Sequence, residues 1–558
     1  MSLPQPTAEP LAHPVRHFSL AGWRMAAAAI ALFALMPIAA LAWLAASGPD
    51  NVWPHLMANV LPRATWNTLL LLGGVGTLTG LIGCGAAWLV TAYDFPLRRH
   101  MEWALLLPLA VPTYIVAYAY LDILHPVGLF QGVIRTVLGY DSPRDFRLPD
   151  IRSMSGCILV MSLVLYPYVY ITTRAMFMTQ AANLIEISRT LGCSYFGAFR
   201  RVALPLARPA IAVGISLALM ETLNDIGASE FLGIRTLTVS IYSQWVNRTD
   251  LAGASQIALS LLVLVVLLVA LERWARRRQN YALSAQRPRR LQPLKLPLGR
   301  GLLALLAVSV PVTFGFVFPA LYLVSSAWRR IEFIGISPAI IRETINTVVI
   351  SAAGTALALL CGLIVAFAAR LISSRLTQSF TRIALVGYAV PGTVLAIGIL
   401  YPVTLFDRGF DTVWHAATGG TFGLLLLGSG TALVLAYSLR FMAISTGGIE
   451  SGFSRIPTSL DGAARTLGAS PMRMLGTIHI PLSRTAIAAA AILIFVDCMK
   501  ELPATLLLRP LNFETLATHL YGEAARGTYE DASIAALLIV LVGMLPVAIL
   551  SRIGRSDR

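Results

Sequence analysis

The sequence is poor in charged residues, and this shortage already narrows the class of protein. Only 13% of the 558 residues are charged, 57% are hydrophobic, and the mean hydropathy is +0.73. Soluble globular domains usually carry about 25% charged residues. The composition therefore excludes a disordered chain and argues against a soluble enzyme, and it indicates a protein whose solvent is lipid.

Residues for metal, redox or nucleotide chemistry are also scarce. The five cysteines form no Cys-x-x-Cys pair and the eight histidines form no cluster, so neither a zinc site nor a redox motif is indicated. The only two lysines, Lys295 and Lys500, do not follow a glycine, which excludes a P-loop. We therefore predict no catalytic residue and no cofactor bound by this chain.

Twelve apolar runs have the length of membrane-spanning helices. A span needs ~20 mostly apolar residues, and its backbone must form hydrogen bonds internally, so each run is predicted to be helical. The first run exceeds the roughly 7–15 apolar residues of a signal peptide and is read as an anchor. The predicted spans are 25–46, 66–92, 103–122, 156–177, 209–225, 254–271, 302–326, 346–369, 384–405, 421–439, 485–501 and 533–551.

The basic residues predict the orientation of the spans. With both termini in the cytoplasm, 29 of the 43 basic residues but only eight of the 27 acidic residues lie on the inner side. This is the charge bias of a multi-pass protein of the inner membrane. Anionic lipid is a sufficient partner for the inner arginines, so the net charge of +16 does not call for nucleic acid.

The chain contains an internal repeat. Arg-Thr-Leu-Gly at 189–192 recurs at 465–468, and a Pro-Leu-x-Arg motif at 205–208 recurs at 481–484, both at an offset of 276 residues. Because each half has six spans, both halves start on the same side and the repeat is parallel. We predict a first six-helix repeat at 1–271, a basic cytoplasmic linker at 272–300 and a second repeat at 301–558.

A cytoplasmic loop between the fourth and fifth spans of each half carries a motif. Gly192 is followed thirteen residues later by Pro205, and Gly468 by Pro481. The loops resemble the Glu-Ala-Ala-x-x-x-Gly loops of permease subunits of ATP-binding-cassette importers. Ile-Ser replaces the two alanines in the first copy, and Gly462 stands at the acidic position of the second, one residue after Asp461.

The resemblance implies the type I importer permease fold, an all-α fold of about twelve transmembrane helices. It also implies two separate ATPase subunits that use ATP and Mg, and a periplasmic substrate-binding protein. In such loops a short helix presents small residues to the ATPase, the glycine turns the chain, and the proline starts the next helix. The residues assigned to coupling are Glu186, Ser188, Arg189, Gly192, Pro205, Ala463, Ala464, Arg465, Gly468 and Pro481.

Two pairs of acids lie within predicted spans. Asp225 follows Glu221 by four residues and Glu501 follows Asp497 by four, so each pair shares one helix face. Intramembrane acids are costly and usually mark a pathway. Two other interpretations stay open: buried salt bridges, for example with Lys500, and a position at the outer interface.

The third span adds Tyr114, Tyr118 and Asp122 on one helix face, either in the pathway or in packing. The stretches 107–122, 221–230 and 500–509 resemble ferric-iron importer permeases, which implies ferric iron as cargo, bare or as a chelate. Carboxylate and phenolate oxygens suit this hard cation, but metal ligands within the chain stay unassigned. Importers of thiamine, polyamines, phosphonates and oxyanions share the coupling loops. Two other classes of protein are possible: a secondary transporter that uses these acids, and a membrane enzyme. Neither would need paired docking loops.

Overall fold

The computed structural model describes residues 17–47, 52–179, 182–276, 293–372 and 374–556. Most of the predicted linker, 277–292, and both chain ends lie outside the described residues. The helices of the first half are α1 (His17–Ser47), α2 (Trp53–His55), α3 (Leu61–Ala92), α4 (Arg98–Ala104), α5 (Thr113–Ile123), α6 (Leu129–Leu138), α7 (Met154–Thr179), α8 (Ala182–Thr190), α9 (Tyr195–Ala198), α10 (Leu204–Asn224), α11 (Gly227–Phe231), α12 (Leu237–Tyr242) and α13 (Leu251–Arg276).

The second half follows the same order. Its helices are α14 (Leu298–Val312), α15 (Phe318–Ile334), α16 (Pro338–Leu371), α17 (Arg375–Ala384), α18 (Gly392–Thr418), α19 (Thr431–Ser454), α20 (Thr458–Thr466), α21 (Pro471–Met474), α22 (Ile480–Met499), α23 (Pro503–Leu508), α24 (Leu516–Arg526) and α25 (Tyr529–Ser556). Wider π-helical turns join several pieces into longer rods, at Leu56–Val60, Phe199–Ala203, Ser243–Asn247, Thr313–Val317 and Leu475–His479; tighter 3-10 turns lie at Leu107–Ala110 and Leu385–Ala389.

The predicted all-α membrane architecture is confirmed. The described residues contain eleven helices long and apolar enough to cross a membrane, and a twelfth span if Arg98–Ala110 and Thr113–Ile123, which meet at 90°, form one bent span. Pro112 lies at that break, and a proline both removes a backbone donor and restrains the preceding residue from the helical conformation. The tenth span differs from the prediction, because α19 begins ten residues later than expected and extends to Ser454.

Equivalent hydrogen bonds confirm that the two halves are structural repeats. The Asn67 amide donates to the Arg235 carbonyl (3.1 Å), and the Asn346 amide donates to the Glu514 carbonyl (3.0 Å). One residue further on, Thr68 and Thr347 each accept a hydrogen bond from the first residue of α12 and α24, respectively. In each half an Asn-Thr pair therefore ties the second span to a short helix 168 or 169 residues later.

The first helix of each half packs against the other half. α1 lies against α16, α17 and α18 of the second half, and α14 and α15 lie against α3, α4 and α5 of the first half. The last part of the linker joins this arrangement through two parallel strands, β1 (Tyr93–Asp94) and β2 (Leu294–Lys295). These crossed contacts bury apolar surface from both halves in the same cores, so the repeats form one membrane domain.

Candidate functional site

A polar cavity of about 100 Å³ lies where α10 and α22 end. Four predicted pathway acids, Glu221, Asp225, Asp497 and Glu501, line it together with Tyr114. The structure thus brings both i, i+4 pairs to one place between the halves. The cavity also adjoins the break of the bent third span at Pro112, and it therefore lies partway through the bundle.

Two of the four acids hold the short helices that follow the broken spans. Asp225 accepts hydrogen bonds from the Ala228 amide (2.7 Å) and from the Thr113 hydroxyl. Glu501 accepts from the amides of Ala504 (3.0 Å) and Thr505 (3.1 Å). A carboxylate at a helix N-terminus satisfies otherwise unpaired backbone donors. Asp225 and Glu501 therefore act as caps of α11 and α23 as well as lining the cavity.

Two cations enter the cavity, both from the second half. Lys500 Nζ lies 2.8 Å from Asp497 Oδ1, and an Arg440 guanidinium nitrogen lies 2.7 Å from Glu501 Oε1. The salt bridge considered for Lys500 is thus present at Asp497. The predicted tenth span ends at residue 439, whereas α19 continues to Ser454 and carries Arg440 in its interior. Glu450 is the one other charged residue within Thr431–Ser454. An arginine in such an apolar run was the sequence signal that could have identified Arg440 as a functional residue.

The charges of the two halves are not equivalent. At the 276-residue offset, Arg440 corresponds to Val164 and Lys500 to Asn224, and all four residues line the cavity. Among the described residues, no cation lies within 4.0 Å of Glu221 or Asp225. The second half therefore neutralises its own two acids, and the first half leaves two carboxylates facing the cavity without an ion-pair partner in the described part of the chain.

Hydrogen bonds join the two halves beside the cavity. The Gly392 amide donates to Asn224 Oδ1 (2.7 Å), and the Tyr114 hydroxyl donates to the Lys500 carbonyl (3.3 Å). A β-carbon at Gly392 would collide with the Arg440 guanidinium and come within 2.7 Å of Glu501. A larger residue where α18 starts would therefore displace the ion pair.

Tyr118 and Asp122 lie outside this cavity. The Tyr118 ring packs between Tyr322 and Tyr529, with centroid distances of 6.4 and 6.1 Å, and Asp122 accepts a hydrogen bond from the Tyr322 hydroxyl (2.7 Å). Tyr118 therefore contacts α15 and α25, and Asp122 contacts α15. Of the predicted face of the third span, Tyr114 alone reaches the four acids.

The two predicted coupling loops have the same local structure. Gly192 (φ +87°) and Gly468 (φ +75°) end α8 and α20 in the left-handed conformation that favours glycine. Ser194 and Ser470 then cap the next helical turn by accepting from the amides of Gly197 (3.1 Å) and Arg473 (3.3 Å). Six spans separate the loops, so both lie at the same face, which we call the loop face.

One detail of the loop prediction is wrong. Ser188 and Ala464, expected on the contact surface, are buried because they lie on the inner side of α8 and α20. Pro205 and Pro481 lie in the first turn of α10 and α22, as predicted, and each follows a π-helical turn that joins its helix to α9 or α21. Such a turn accommodates the carbonyl that a proline leaves without a donor.

Other coupling residues are divided between the surface and internal contacts. Ala463 and Arg465 are exposed, and Glu186 is half-buried. The Arg189 guanidinium stacks on the Tyr195 ring at 3.8 Å instead of projecting freely. The sequence analysis missed the most exposed apolar side chains of the two loops, Leu191 (80% exposed) and Leu467 (87%), which occupy equivalent positions.

The acid beside the second motif anchors its loop. Asp461 Oδ2 accepts from Arg370 Nε (2.8 Å), and Asp461 Oδ1 lies 3.1 Å from Nε2 of the buried His479. Arg370 also donates to the Ile456 carbonyl (2.8 Å). The acid at 461 therefore faces inward and fixes α20 to α16.

No group of three or more His, Cys, Asp or Glu side chains is arranged to hold a metal ion within the described ranges. The cavity has room for water molecules or a small ion, whereas pockets for drug-sized ligands measure about 300–1,000 Å³. Chemically, it offers carboxylate and phenol oxygens without a preformed coordination shell.

Comparison with known proteins gives a family match in each half. The model described as "Binding-protein-dependent transport system inner membrane component" matches residues 79–281 and 354–554. The chain is 24% identical over 499 residues to the Fe(3+)-transport system permease protein FbpB 2 of Haemophilus influenzae, covering 87% of this chain and 89% of that protein. It is 20% identical to the ferric transport system permease protein FbpB of Actinobacillus pleuropneumoniae, covering 89% of this chain and 72% of that protein.

A third relative matches less than half of the chain. A probable molybdenum ABC transporter permease protein of Haloferax volcanii is 28% identical over 254 residues, which cover 44% of this chain and 87% of that protein. This relative is about half as long as the present chain, and nearly all of its length aligns.

Proposed function

The chain belongs to the family of binding-protein-dependent transport system inner membrane components, and on that premise we propose that it carries ferric iron across the bacterial inner membrane. It is a membrane permease with two fused repeats. We propose that two ATPase subunits bind it on the cytoplasmic side and that a periplasmic binding protein delivers the cargo. ATP and Mg are used by the ATPases, because this chain has no P-loop of its own.

The observation that carries the coupling role is the pair of equivalent loops at one face. Each presents a short helix, a left-handed glycine and an exposed leucine in the same order. An exposed leucine at the same position of both loops offers a partner two equivalent apolar contacts. Two separate loops 276 residues apart suit two copies of one ATPase, and the arginine bias supports a cytoplasmic position for this face and for both termini.

Replacing both leucines tests ATPase docking directly. Leu191→Asp combined with Leu467→Asp should prevent the ATPase from co-purifying with the chain in detergent, because each substitution exposes a charge in an apolar contact. Leu511→Asp is the matched control, since Leu511 is 96% exposed but follows α22 and α23, at the opposite end of α22 from the loop. Equal recovery of ATPase with the double variant and the control would exclude these loops as the docking site.

The cavity suits the step between the two access states. It lies between the halves, at the ends of broken helices. We propose that ATP binding moves the loops together and rotates the two halves about this point, opening it to the binding protein, and that hydrolysis returns it to the cytoplasm. The short helices capped by Asp225 and Glu501 would then move with their own halves.

The charge balance favours a cation as cargo. Asp497 and Glu501 are already paired with Lys500 and Arg440, so the charge left over is that of Glu221 and Asp225. Hard cations such as Fe(III) prefer oxygen ligands of this kind. The names of the two long relatives, both ferric-iron permeases, support the same cargo.

An oxyanion is the second candidate, favoured by the two cations in the cavity and by the molybdenum permease among the relatives. For an anion to bind there, Arg440 and Lys500 would have to leave their carboxylates. At 4 Å and an effective dielectric of 20, a pair of unit charges interacts by about 4 kcal/mol, so that release is costly. Thiamine, polyamines and phosphonates are further alternatives, and the only support for them is that their importers share the coupling loops.

Uptake of radiolabelled iron by cells that lack the chromosomal copy tests the cargo. Glu221→Gln should reduce iron uptake about tenfold or more by removing one unpaired charge, a change worth at least ~1.4 kcal/mol. Asp122→Asn is the control, because Asp122 is an acid that contacts Tyr322 outside the cavity. Normal iron uptake with Glu221→Gln, or molybdate uptake by the unaltered chain in its place, would contradict the iron assignment.

A further inference from the structure

A groove at the seam of the two repeats combines an apolar wall with two arginines. It has a volume of about 540 Å³ and lies between α13 of the first half and α17 with its following 3-10 turn in the second. Leu262, Val266, Val386 and Val390 represent the apolar lining, and Arg273 and Arg382 complete it. We propose that this groove binds one anionic phospholipid of the inner leaflet, with its phosphate at the two arginines and an acyl chain along the apolar wall.

The position of the groove in the bundle supports a lipid. α13 returns to the loop face after α10 has left it, and α17 starts from that face, so Arg273 and Arg382 lie near the loop face. Val266 is 58% exposed and Val386 40% exposed, and in a membrane protein such side chains face acyl chains. The apolar wall therefore extends from the arginines towards the hydrocarbon.

Charge complementarity selects the headgroup. Both arginines are exposed at one groove. Basic pockets between transmembrane helices on the cytoplasmic side favour anionic headgroups, and guanidinium groups bind phosphate oxygens in a bidentate manner. Neither feature favours a zwitterionic lipid, whose own ammonium group already balances the phosphate.

The consequence for the protein concerns the contact between the halves. α13 belongs to the first repeat, whereas α17 leads through Val390 into α18, which begins beside the Arg440–Glu501 pair. A lipid in the groove would contact both repeats where one must move against the other. The lipid would thus form part of the contact between the two repeats, and its binding would not depend on the cargo.

Native mass spectrometry of the full chain tests the site. The chain is purified from vesicles that contain equal amounts of phosphatidylglycerol and phosphatidylcholine, and retained lipid is counted as detergent is exchanged. We expect one phosphatidylglycerol in preference to phosphatidylcholine. Removing both charges with Arg273→Gln and Arg382→Gln should weaken its retention about thirtyfold, equivalent to ~2 kcal/mol.

Three further variants separate the contributions. Arg375→Gln, on the same helix but outside the groove, should retain the lipid as the unaltered chain does. Arg273→Lys with Arg382→Lys should restore most of the retention, and Val266→Trp should reduce it by filling the wall without changing charge. Equal retention of both lipids, unchanged retention in the double glutamine variant, or displacement of the lipid by inorganic phosphate would overturn the proposal.

Discussion

The buried ion pair between Arg440 and Glu501 gives the sharpest test of the cavity. The Glu501 side chain is only 1% exposed and that of Arg440 11%, with 2.7 Å between the charged atoms. Replacing Arg440 by methionine leaves a buried carboxylate without its cation. Removing one partner of a buried pair costs about 3–5 kcal/mol, and we expect the lower value because Ala504 and Thr505 still donate to Glu501.

A double-mutant cycle measures this interaction apart from other effects. Arg440→Met and Glu501→Gln are made singly and together, and the unfolding free energy is obtained by denaturant titration in micelles. The double variant should be more stable than the sum of the single losses predicts, with a coupling energy of about 2 kcal/mol or more. The Asp497–Lys500 pair, whose side chains are 28% and 29% exposed, should give a coupling of about 1 kcal/mol or less. Additive losses at Arg440 and Glu501 would refute the reasoning.

Two further predictions concern the loop face and the opposite face. Gly192→Val combined with Gly468→Val should abolish stimulation of the partner ATPase while membrane insertion persists, because a left-handed residue other than glycine costs about 1–2 kcal/mol at each position. The control is Gly139→Val at the end of α6, which is strained in the same way at φ +76° and should leave stimulation intact. Loss of stimulation in the control as well as in the double variant would show a general folding defect. His519 Nδ1 lies 3.1 Å from Glu343 Oε2; burial alone would lower the pKa of His519, but Glu343 outweighs it and the net pKa is raised above 6.5. The stabilisation is therefore complete below the pKa of the unfolded chain and is lost as pH rises through the higher folded pKa, so the thermal midpoint should fall above pH ~6.5, and His519→Gln should remove that dependence; an unchanged pH profile would contradict it.

Much of the architecture could be predicted from the sequence because the membrane imposes strong rules. The length of apolar runs and repetition at a fixed offset predicted twelve spans in two halves, and the described structure confirms them. The two acid pairs do meet at one cavity, but α10 ends at Asn224 and α22 at Met499, so Asp225 and Glu501 lie beyond the helix ends instead of on the predicted shared helix faces. Helix ends were less predictable, because π-helical turns join segments across prolines and carry helices into the loops.

The remaining features depend on contacts between distant segments. Arg440 meets Glu501 across 61 residues, and nothing in its local sequence identifies the partner. Tyr118 and Asp122 share a helix face with Tyr114, but α15 from the other half covers them. Similarly, Ser188 and Ala464 had the small size expected at a docking surface, whereas only the packing of α8 and α20 shows that they face inward.

Transport in reconstituted vesicles tests the central claim most directly. The purified chain is reconstituted alone and with the two ATPase copies, with the iron-loaded binding protein outside and ATP inside. We predict iron entry only when the ATPases and hydrolysable ATP are both present, and none when the chain is alone, with or without an ion gradient. Entry driven by a gradient through the chain alone would contradict the account.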